Sequence, residues 1–321
     1  MKSIIIYHSL SGNTKQIAEE IYSGMSQLSD DVTITRMEEV HSNELSGYDL
    51  IGVGSFVQSF QEPAAVTEFI NSLPDLKGKY AFTFCTHGTC ACSYVARMVT
   101  SLREKGLTVI GWKDWYGDCF IPIAPKPYYT QGHPDEIDLK EAEAFGKEMI
   151  ERYQKIIDGD TQSIPELPEG EEYDKLYGAP VPPNEEMGKL MAGIVNFKPT
   201  YKSEKCNYPK CTICIDNCPT HSIDLSESPE IDYETCGPCL VWFCEQLCPT
   251  GAIEVDWDVL DKGIDAVKAY FDKLSESMYE FKDLRHFRNL LTVEEGSGKP
   301  LYKVNKHPKL AIQDGVVRER V

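Results

Sequence analysis

Eight of the twelve cysteines in this 321-residue chain lie in one short block, as two sets of four. The first set has the spacing Cys-x4-Cys-x2-Cys-x3-Cys-Pro and begins at Cys206. The second has the spacing Cys-x2-Cys-x4-Cys-x3-Cys-Pro and begins at Cys236. Thiolates at such short intervals bind iron-sulfur clusters or zinc, and a disulfide framework is not expected in a reducing cytoplasm. The cysteines therefore predict metal or redox chemistry.

The two sets are copies of one another. Thirty residues separate Cys206 from Cys236, Cys214 from Cys244, and Cys218 from Cys248. The text after each last cysteine also repeats, as Cys-Pro-Thr-His-Ser-Ile-Asp-Leu and Cys-Pro-Thr-Gly-Ala-Ile-Glu-Val. This is an internal duplication. Structural zinc is the alternative, but zinc ribbons present two separated cysteine pairs and do not need the repeated Cys-Pro-Thr segment.

The block from Lys205 to Asp256 resembles the bacterial two-cluster ferredoxins, in which the fourth cysteine of each set ligates the other cluster. The resemblance implies one 4Fe-4S cluster held by Cys206, Cys211, Cys214 and Cys248. It implies a second cluster held by Cys236, Cys239, Cys244 and Cys218. Both sets contain two more residues than the ferredoxin spacing, at different places, so we expect loop shapes that differ from that family.

A second motif, Ser9-Leu10-Ser11-Gly12-Asn13-Thr14, lies between a predicted strand and a predicted helix. Hydroxyls and backbone amides at a helix N-terminus bind anions. The motif lacks Gly-Lys-Ser/Thr and the three glycines of a dinucleotide fingerprint, so a monophosphate suits it better than a nucleoside triphosphate or a dinucleotide. The alternative is an ordinary turn in which Ser11 or Asn13 caps the helix.

The motif resembles the FMN phosphate loop of flavodoxins. This implies that the phosphate is bound by Ser9, Ser11, Gly12, Asn13 and Thr14. In that family the loops after the third and fourth strands hold the flavin ring, which here implies contacts from Ser55, Phe56, Val57, Thr86, His87, Gly88 and Thr89. We expect Phe56 to cover one face of the ring and the amides of Thr86 to Thr89 to bind its pyrimidine edge. His87 is a candidate proton donor.

The elements that position these motifs follow from hydrophobic periodicity. The predicted strands are Ser3–His8, Val32–Met37, Asp49–Ser55, Tyr80–Cys85 and Leu107–Trp112. The predicted helices are Asn13–Gln27, Ala64–Leu73, Ser93–Lys105 and Glu136–Ile157. Alternating strands and helices indicate a parallel sheet between helices. We predict an α/β flavodoxin-like, doubly wound domain with a five-stranded parallel sheet over residues 1–158, and a small α+β two-cluster ferredoxin domain over residues 201–256.

Two further segments differ in composition. Residues 159–200 are acidic and rich in proline, which predicts a solvated, fairly stiff linker without regular structure. Residues 257–321 begin with apolar residues at helical spacing and end in a basic tail, in which residues 282–321 hold nine Lys or Arg against five acidic residues. We expect a C-terminal helix there, followed by a tail that docks internally or contacts a partner.

Charge and hydropathy exclude several classes of function. The chain has 32 Lys and Arg against 51 Asp and Glu, a net charge of −19, which repels nucleic acid. Its apolar runs are too short to span a membrane, and its start lacks a signal-peptide pattern, so we expect a cytoplasmic protein. The acidic surface favours redox partner proteins with a basic docking surface.

Together the two halves resemble the flavodoxin/ferredoxin fusion proteins of anaerobic prokaryotes. The resemblance implies an electron-transfer protein that passes low-potential electrons between two 4Fe-4S clusters, FMN and a redox partner. One alternative is a flavin-dependent reductase of an organic substrate, with His87 or Tyr116 as proton donor. Another is a dedicated reductive activator of a corrinoid or radical enzyme that docks through the basic tail. Cys85, Cys90, Cys92 and Cys119 are small buried side chains or redox thiols.

Overall fold

The computed structural model describes residues 1–119, 130–178, 199–216, 218, 221–226, 230–236 and 243–254. Its larger sheet consists of β1 (Ser3–His8), β2 (Val32–Arg36), β3 (Leu50–Phe56), β4 (Tyr80–His87) and β5 (Thr108–Tyr116). Neighbouring strands are all parallel, in the order β2-β1-β3-β4-β5. This is the doubly wound order of flavodoxin-like folds, with its switch point between β1 and β3. The predicted five-stranded sheet is confirmed.

Helices cover both faces of the sheet. The helices α1 (Asn13–Ser26) and α4 (Glu136–Ile157) pack on one face, and α2 (Ala64–Ser72) and α3 (Tyr94–Glu104) on the other. Because both faces are covered, nearly all residues of the central strands β1, β3 and β4 are buried, and most of them are apolar. In the parts of the chain that the structure describes, no helix is both long enough and apolar enough to cross a membrane.

The helices α1 and α4 approach each other closely at two glycines. A Cβ added to Gly24 would lie 1.9 Å from the carbonyl oxygen of Glu143, and one added to Gly146 would lie 2.2 Å from that of Ile21. Both neighbouring atoms belong to the backbone and cannot rotate away. The close packing of this helix pair therefore depends on residues without side chains.

The strands β4 and β5 extend further than predicted. Their predicted ends were Cys85 and Trp112, but parallel pairing continues to the pair His87 and Tyr116. The predictions stop early because polar residues interrupt the apolar pattern, at Thr86 and His87 in β4 and at Lys113 and Asp114 in β5, whereas the backbone ladder does not depend on side-chain polarity. Thr86 and His87 therefore lie on a strand and not in a loop.

The expectation of a solvated, irregular linker is wrong for its first part. Residues 170–177 form the helix α5 (Gly170–Tyr177). Tyr173 is buried in the core cluster on the α3 side of the sheet, and its hydroxyl accepts a hydrogen bond from the amide of Ala96 at 3.0 Å. The acidic composition of this segment predicted a solvated linker. The helix nevertheless packs on the core, because two aromatic side chains, Tyr173 and Tyr177, form its apolar face. Residues 179–198 lie outside the described residues.

The cysteine block contains two small antiparallel sheets. Its elements are β6 (Thr200–Tyr201), α6 (Ile213–Asp216), β7 (Ile223–Asp224), β8 (Glu230–Ile231), α7 (Tyr233–Cys236), α8 (Phe243–Gln246) and β9 (Ile253–Glu254). The strand β6 pairs with β9, and β7 pairs with β8. The pairs Tyr201 with Ile253 and Ile231 with Ile223 become equivalent when one copy is shifted by the 30-residue repeat. The duplicated sequence thus forms two equivalent halves that exchange strands.

Candidate functional site

The predicted phosphate loop lies at the carboxyl edge of the sheet, between β1 and α1. Gly12 adopts the left-handed conformation, with φ of 91°, immediately before α1 begins. The buried hydroxyl of Ser9 accepts hydrogen bonds from the amides of Gly12 and Lys15 at 3.2 and 3.3 Å, and Ser11 is half-buried. The first turn of α1 carries no acidic side chain. Such a helix start offers amide donors and the positive end of the helix dipole to an anion.

The first two residues of α1 connect this loop to β4 and β5. The side-chain amide of Asn13 donates to the carbonyl of Asp118, just beyond β5, at 3.0 Å. The hydroxyl of Thr14 lies 2.7 Å from that of Thr86 at the end of β4. Both side chains are buried. They therefore position the phosphate loop against the strands that carry the predicted ring contacts.

The end of β3 is held by a buried tyrosine. The hydroxyl of Tyr94 accepts a hydrogen bond from the amide of Ser55 at 3.0 Å and donates to the carbonyl of Phe84 at 3.0 Å. The amide of Val57 donates to the carbonyl of Thr86 at 2.9 Å, which joins the ends of β3 and β4. These bonds fix the backbone on either side of Phe56.

The half-buried ring of Phe56 stacks on His8 from β1, with ring centroids 5.5 Å apart and an interplanar angle of 29°. The Nδ1 atom of His8 lies 2.5 Å from a carboxylate oxygen of Glu38. Burial opposes ionisation of Glu38, but the hydrogen bond and charge of His8, a backbone hydrogen bond and the charge of Arg36 together outweigh burial and lower the pKa of this carboxyl. His8 and Glu38 were missed as site residues because they lie 30 positions apart.

His87 forms a dyad with a carboxylate of the neighbouring strand. Its Nε2 atom lies 2.8 Å from an oxygen of Asp114 on β5, and the ring of Tyr116 contacts the imidazole edge-on at 5.0 Å. The other ring nitrogen, Nδ1, is buried and has no hydrogen-bond partner among the described residues. Gly88 and Thr89 follow and are half-buried. A buried nitrogen of this kind suits a polar group of a bound ligand.

The loop after β3 contains an unusual turn that the sequence did not indicate. Gln58 and Gln61 form an isolated antiparallel bridge, and the two residues between them have positive φ angles, 50° at Ser59 and 67° at Phe60. Such two-residue turns normally use Asn-Gly or Gly-Gly. Left-handed backbone at residues other than glycine persists where the surroundings hold it, as it does at binding sites. The amide of Ser93 donates to the carbonyl of Phe60 at 3.1 Å and provides such a support.

In the cysteine block, strand exchange brings the last cysteine of the second set to the first three of the first set. Cys248 precedes β9, and β9 pairs with β6, which precedes Cys206. One cavity is lined by Cys206, Cys211, Cys214 and Cys248. Burial, and then the neighbouring thiols, raise the pKa of Cys214 to about 12. Four thiols that line one cavity suit a cationic centre that stabilises thiolates.

Backbone amides also contact these sulfurs. The amide of Ala252 donates to the sulfur of Cys248 at 3.1 Å. Burial opposes ionisation of Cys248, but hydrogen bonds from Ile253, Thr250 and Ala252 outweigh it and lower the pKa of this thiol. The equivalent amide in the first copy, that of Ser222, lies 3.4 Å from the sulfur of Cys218. The repeated Cys-Pro-Thr segment thus forms the same sulfur-binding turn twice.

Three members of the second predicted ligand set lie in one apolar cluster. Cys218, Cys236 and Cys244 are buried there with Ile223 and Ile231. Cys239, the fourth member, lies outside the described residues, as do the predicted C-terminal helix and the basic tail. The described part of this set is therefore more shielded from water than the first set.

Comparison with known proteins supports the fold of the N-terminal domain. Residues 4–107 match a family described as flavodoxin domain. An uncharacterized protein from Methanocaldococcus jannaschii is 27% identical over 164 residues, which cover 47% of this chain and 99% of that protein. A flavodoxin from Megasphaera elsdenii is 29% identical over 110 residues, which cover 33% of this chain and 80% of that protein. The solved structure of a flavodoxin from the domain Archaea is 25% identical, with a TM-score of 0.39, and covers 48% of this chain and 99% of that one. On the family match and the similarity to the Megasphaera protein, the N-terminal domain is flavodoxin-like.

Proposed function

We propose that this protein transfers low-potential electrons between two 4Fe-4S clusters, one FMN and a redox partner protein. The observation that carries the proposal is the cavity lined by four cysteines from both sequence copies, in a chain whose N-terminal domain is flavodoxin-like. When bound, FMN and the clusters accept and release the electrons. The protein binds these groups, orients them and limits their contact with water.

In the proposed FMN site, the phosphate is bound by the start of α1. The amides of this turn and the hydroxyls of Ser9 and Ser11 donate hydrogen bonds to it, and Gly12 allows the backbone to approach closely. Asn13 and Thr14 hold the loop in place through Asp118 and Thr86. An anion gains from both the amide donors and the helix dipole.

The proposed ring site lies between the ends of β3 and β4. Phe56 covers one face of the ring, and His8 stacks against Phe56 and orients it. The backbone of Gly88 and Thr89, just beyond β4, offers amides to the pyrimidine edge, whereas Thr86 and His87 are paired within the sheet. His87, whose Nε2 is held by Asp114, directs a buried Nδ1 that lacks a partner among the described residues. Hydrogen bonds at this edge tune the reduction potential of a flavin.

In the proposed cluster sites, the first ligand set is Cys206, Cys211, Cys214 and Cys248, and the second is Cys236, Cys239, Cys244 and Cys218. Amide hydrogen bonds to Cys248 and Cys218 stabilise negative charge on sulfur. The apolar surroundings of the second set lower solvent access and so shift its potential relative to the first. The net charge of −19 steers basic partners, and the association rate should fall as salt rises.

The deciding experiment is quantitation of iron, acid-labile sulfide, zinc and flavin on one anaerobically purified sample. The proposal expects about eight irons and one FMN per chain. Cys248→Ser and Cys218→Ser should each lose about four irons, from different clusters, because each residue serves the other copy. Cys119→Ser, at a cysteine outside the block, should keep both clusters. Zinc without sulfide would refute the cluster assignment, and iron without flavin would refute the FMN site.

The His87 and Asp114 dyad favours a second function, reduction of an organic substrate at the flavin. A histidine oriented by a carboxylate is a common arrangement for proton transfer. In this alternative, His87→Gln would abolish substrate reduction, whereas electron transfer between the cofactors would continue at a rate altered by the changed flavin potential. If cofactor reduction and partner reduction both survive the substitution and no substrate is consumed, the electron-transfer function stands. The reductive-activator alternative depends on the basic tail and stays a prediction.

A further inference from the structure

Cys90 and Cys92 meet in the loop between β4 and α3. Their Sγ atoms are 2.7 Å apart, and both side chains are buried, with 5% of Cys90 and 0% of Cys92 exposed. A disulfide bond is about 2.05 Å long. Only a small movement therefore separates the two thiols from a covalent bond.

The backbone around this pair is held by its neighbours. Cys92 has a positive φ of 43°, which residues other than glycine rarely adopt. Its amide donates to the carbonyl of Tyr177 at 2.7 Å, and its carbonyl accepts a hydrogen bond from the hydroxyl of Tyr173 at 2.5 Å. Residues of the helix α5 thus form hydrogen bonds with both the amide and the carbonyl group of Cys92. The close approach of the two sulfurs is maintained by tertiary contacts and does not follow from their spacing alone.

We propose that Cys90 and Cys92 are a thiol-disulfide couple that low-molecular-weight disulfides oxidise. Cys90, the more exposed of the two, attacks one sulfur of the reagent as a thiolate and releases the other as a thiol. Cys92 then attacks the Cys90 sulfur of the mixed disulfide, the bond between the two cysteines forms, and a second reagent thiol leaves. The protein gives up two electrons and two thiol protons, and the reagent disulfide becomes two thiols.

A third cysteine lies close by but is a poor competitor. Burial, and then the charge of Asp114, raise the pKa of Cys85 well above its ordinary value. A thiol that stays protonated reacts slowly in exchange. The couple is therefore Cys90 with Cys92, in the loop that begins with Gly88 and Thr89 beside the proposed ring site. The inference goes beyond the proposed function and requires neither FMN nor clusters.

The test uses the full chain under anaerobic conditions in buffers of graded ratio of glutathione to glutathione disulfide. After an acid quench, thiols are alkylated with N-ethylmaleimide and the protein is digested with trypsin. The peptide of residues 80–97, bounded by Lys79 and Arg97, contains Cys85, Cys90 and Cys92. In reducing buffer it should carry three alkyl groups. In oxidising buffer the peptide should carry one alkyl group, on Cys85. Its mass should also be lower by two hydrogens, which are lost when Cys90 and Cys92 form the disulfide.

The matched reference is a synthetic peptide of residues 80–97, in which tertiary contacts are absent. Because the fold holds the two sulfurs together, the equilibrium constant for disulfide formation should be at least tenfold larger in the protein. This corresponds to a midpoint potential lower by about 30 mV. An equal or smaller constant in the protein would overturn the proposal.

Two variants separate the roles of the sulfurs. In Cys92→Ser, glutathione should remain attached to Cys90, because the thiol that resolves the mixed disulfide is gone. Cys119→Ser should behave as the unaltered chain. Three alkyl groups on the peptide at every buffer ratio, or a disulfide that includes Cys85, would refute the couple. The number of alkyl groups and the glutathione adduct do not depend on flavin or iron content. A negative result in these measurements would therefore leave the proposed electron-transfer function unaffected.

Discussion

The substitution Gly146→Ala should loosen the contact between α1 and α4 in a way that can be measured locally. The added Cβ would lie 2.2 Å from the carbonyl oxygen of Ile21, whereas real contacts of this kind do not fall below 3.0 Å, so the helices must separate by about 0.8 Å. A gap of about 0.5 to 1 Å forfeits a quarter to a half of the dispersion energy of each contact. On α1 the affected side chains include Ile17, Ile21 and Met25, which are fully buried.

Overpacking of a core typically costs about 1 to 3 kcal/mol. We expect the upper end, because the obstructing atom belongs to a backbone. Replacing a helical glycine by alanine returns about 1 kcal/mol in helix propensity. The net loss for Gly146→Ala is then about 2 kcal/mol, which corresponds to a roughly 30-fold larger local opening constant.

Hydrogen-deuterium exchange with mass spectrometry on the full chain measures this loss. Peptides from α1 and α4 should exchange about 30-fold faster in Gly146→Ala, while peptides from the cysteine block should not change. The control is Gly47→Ala, because nothing lies within 4 Å of a Cβ added at Gly47. Equal exchange in the two variants would refute the close approach of the helices at Gly146.

Other predictions concern charge, phosphate binding and ligation. Arg97→Ala should cost about 3 kcal/mol, because it leaves the carboxylate of Glu62, with 3% of its side chain exposed, without its bidentate partner. Burial opposes ionisation of Glu62, but its hydrogen bonds, above all those from Arg97, lower the pKa of this carboxyl. The difference in urea midpoint between Arg97→Ala and the unaltered protein should therefore be largest at pH 7 and shrink as acid protonates Glu62. A difference that does not change with pH would contradict this. Thr14→Val should weaken FMN binding by about tenfold in a fluorescence titration of the apoprotein, whereas Thr33→Val at an exposed site should not. Equal affinities would remove Thr14 from the phosphate site. Cys218→Ser should change the electron paramagnetic resonance signal of one reduced cluster; loss of both signals would contradict separate ligand sets.

Much of the N-terminal fold could be predicted from the sequence because its elements are local patterns. The apolar runs placed all five strands, and the Ser-Leu-Ser-Gly-Asn-Thr segment placed the loop before α1. The ends of β4 and β5 could not be predicted from hydropathy, since backbone pairing continues through polar residues to His87 and Tyr116. The helix α5 was not predicted because its segment is mostly acidic, and only the assembled fold shows that its two tyrosines face the core.

The candidate site was predicted less completely, because its supporting contacts join distant positions. The partner of His87 is Asp114, and the ring of Phe56 rests on His8, yet neither pair has a sequence signal. Tyr94 holds the end of β3 from the helix α3 and reads in the sequence as an ordinary core residue. Such partners become visible only when the strands and helices have assembled.

Sequence alone determined the number, spacing and duplication of the cysteines, and the alternation that requires a parallel sheet. These are local properties, since a short segment encodes its own backbone preference and its own set of donor atoms. The tertiary structure decided that β6 pairs with β9, which brings Cys248 to Cys206, and that α5 clamps the loop in which Cys90 and Cys92 meet. Pairing between segments far apart in the chain depends on the packing of the whole fold, and short-range patterns do not record it.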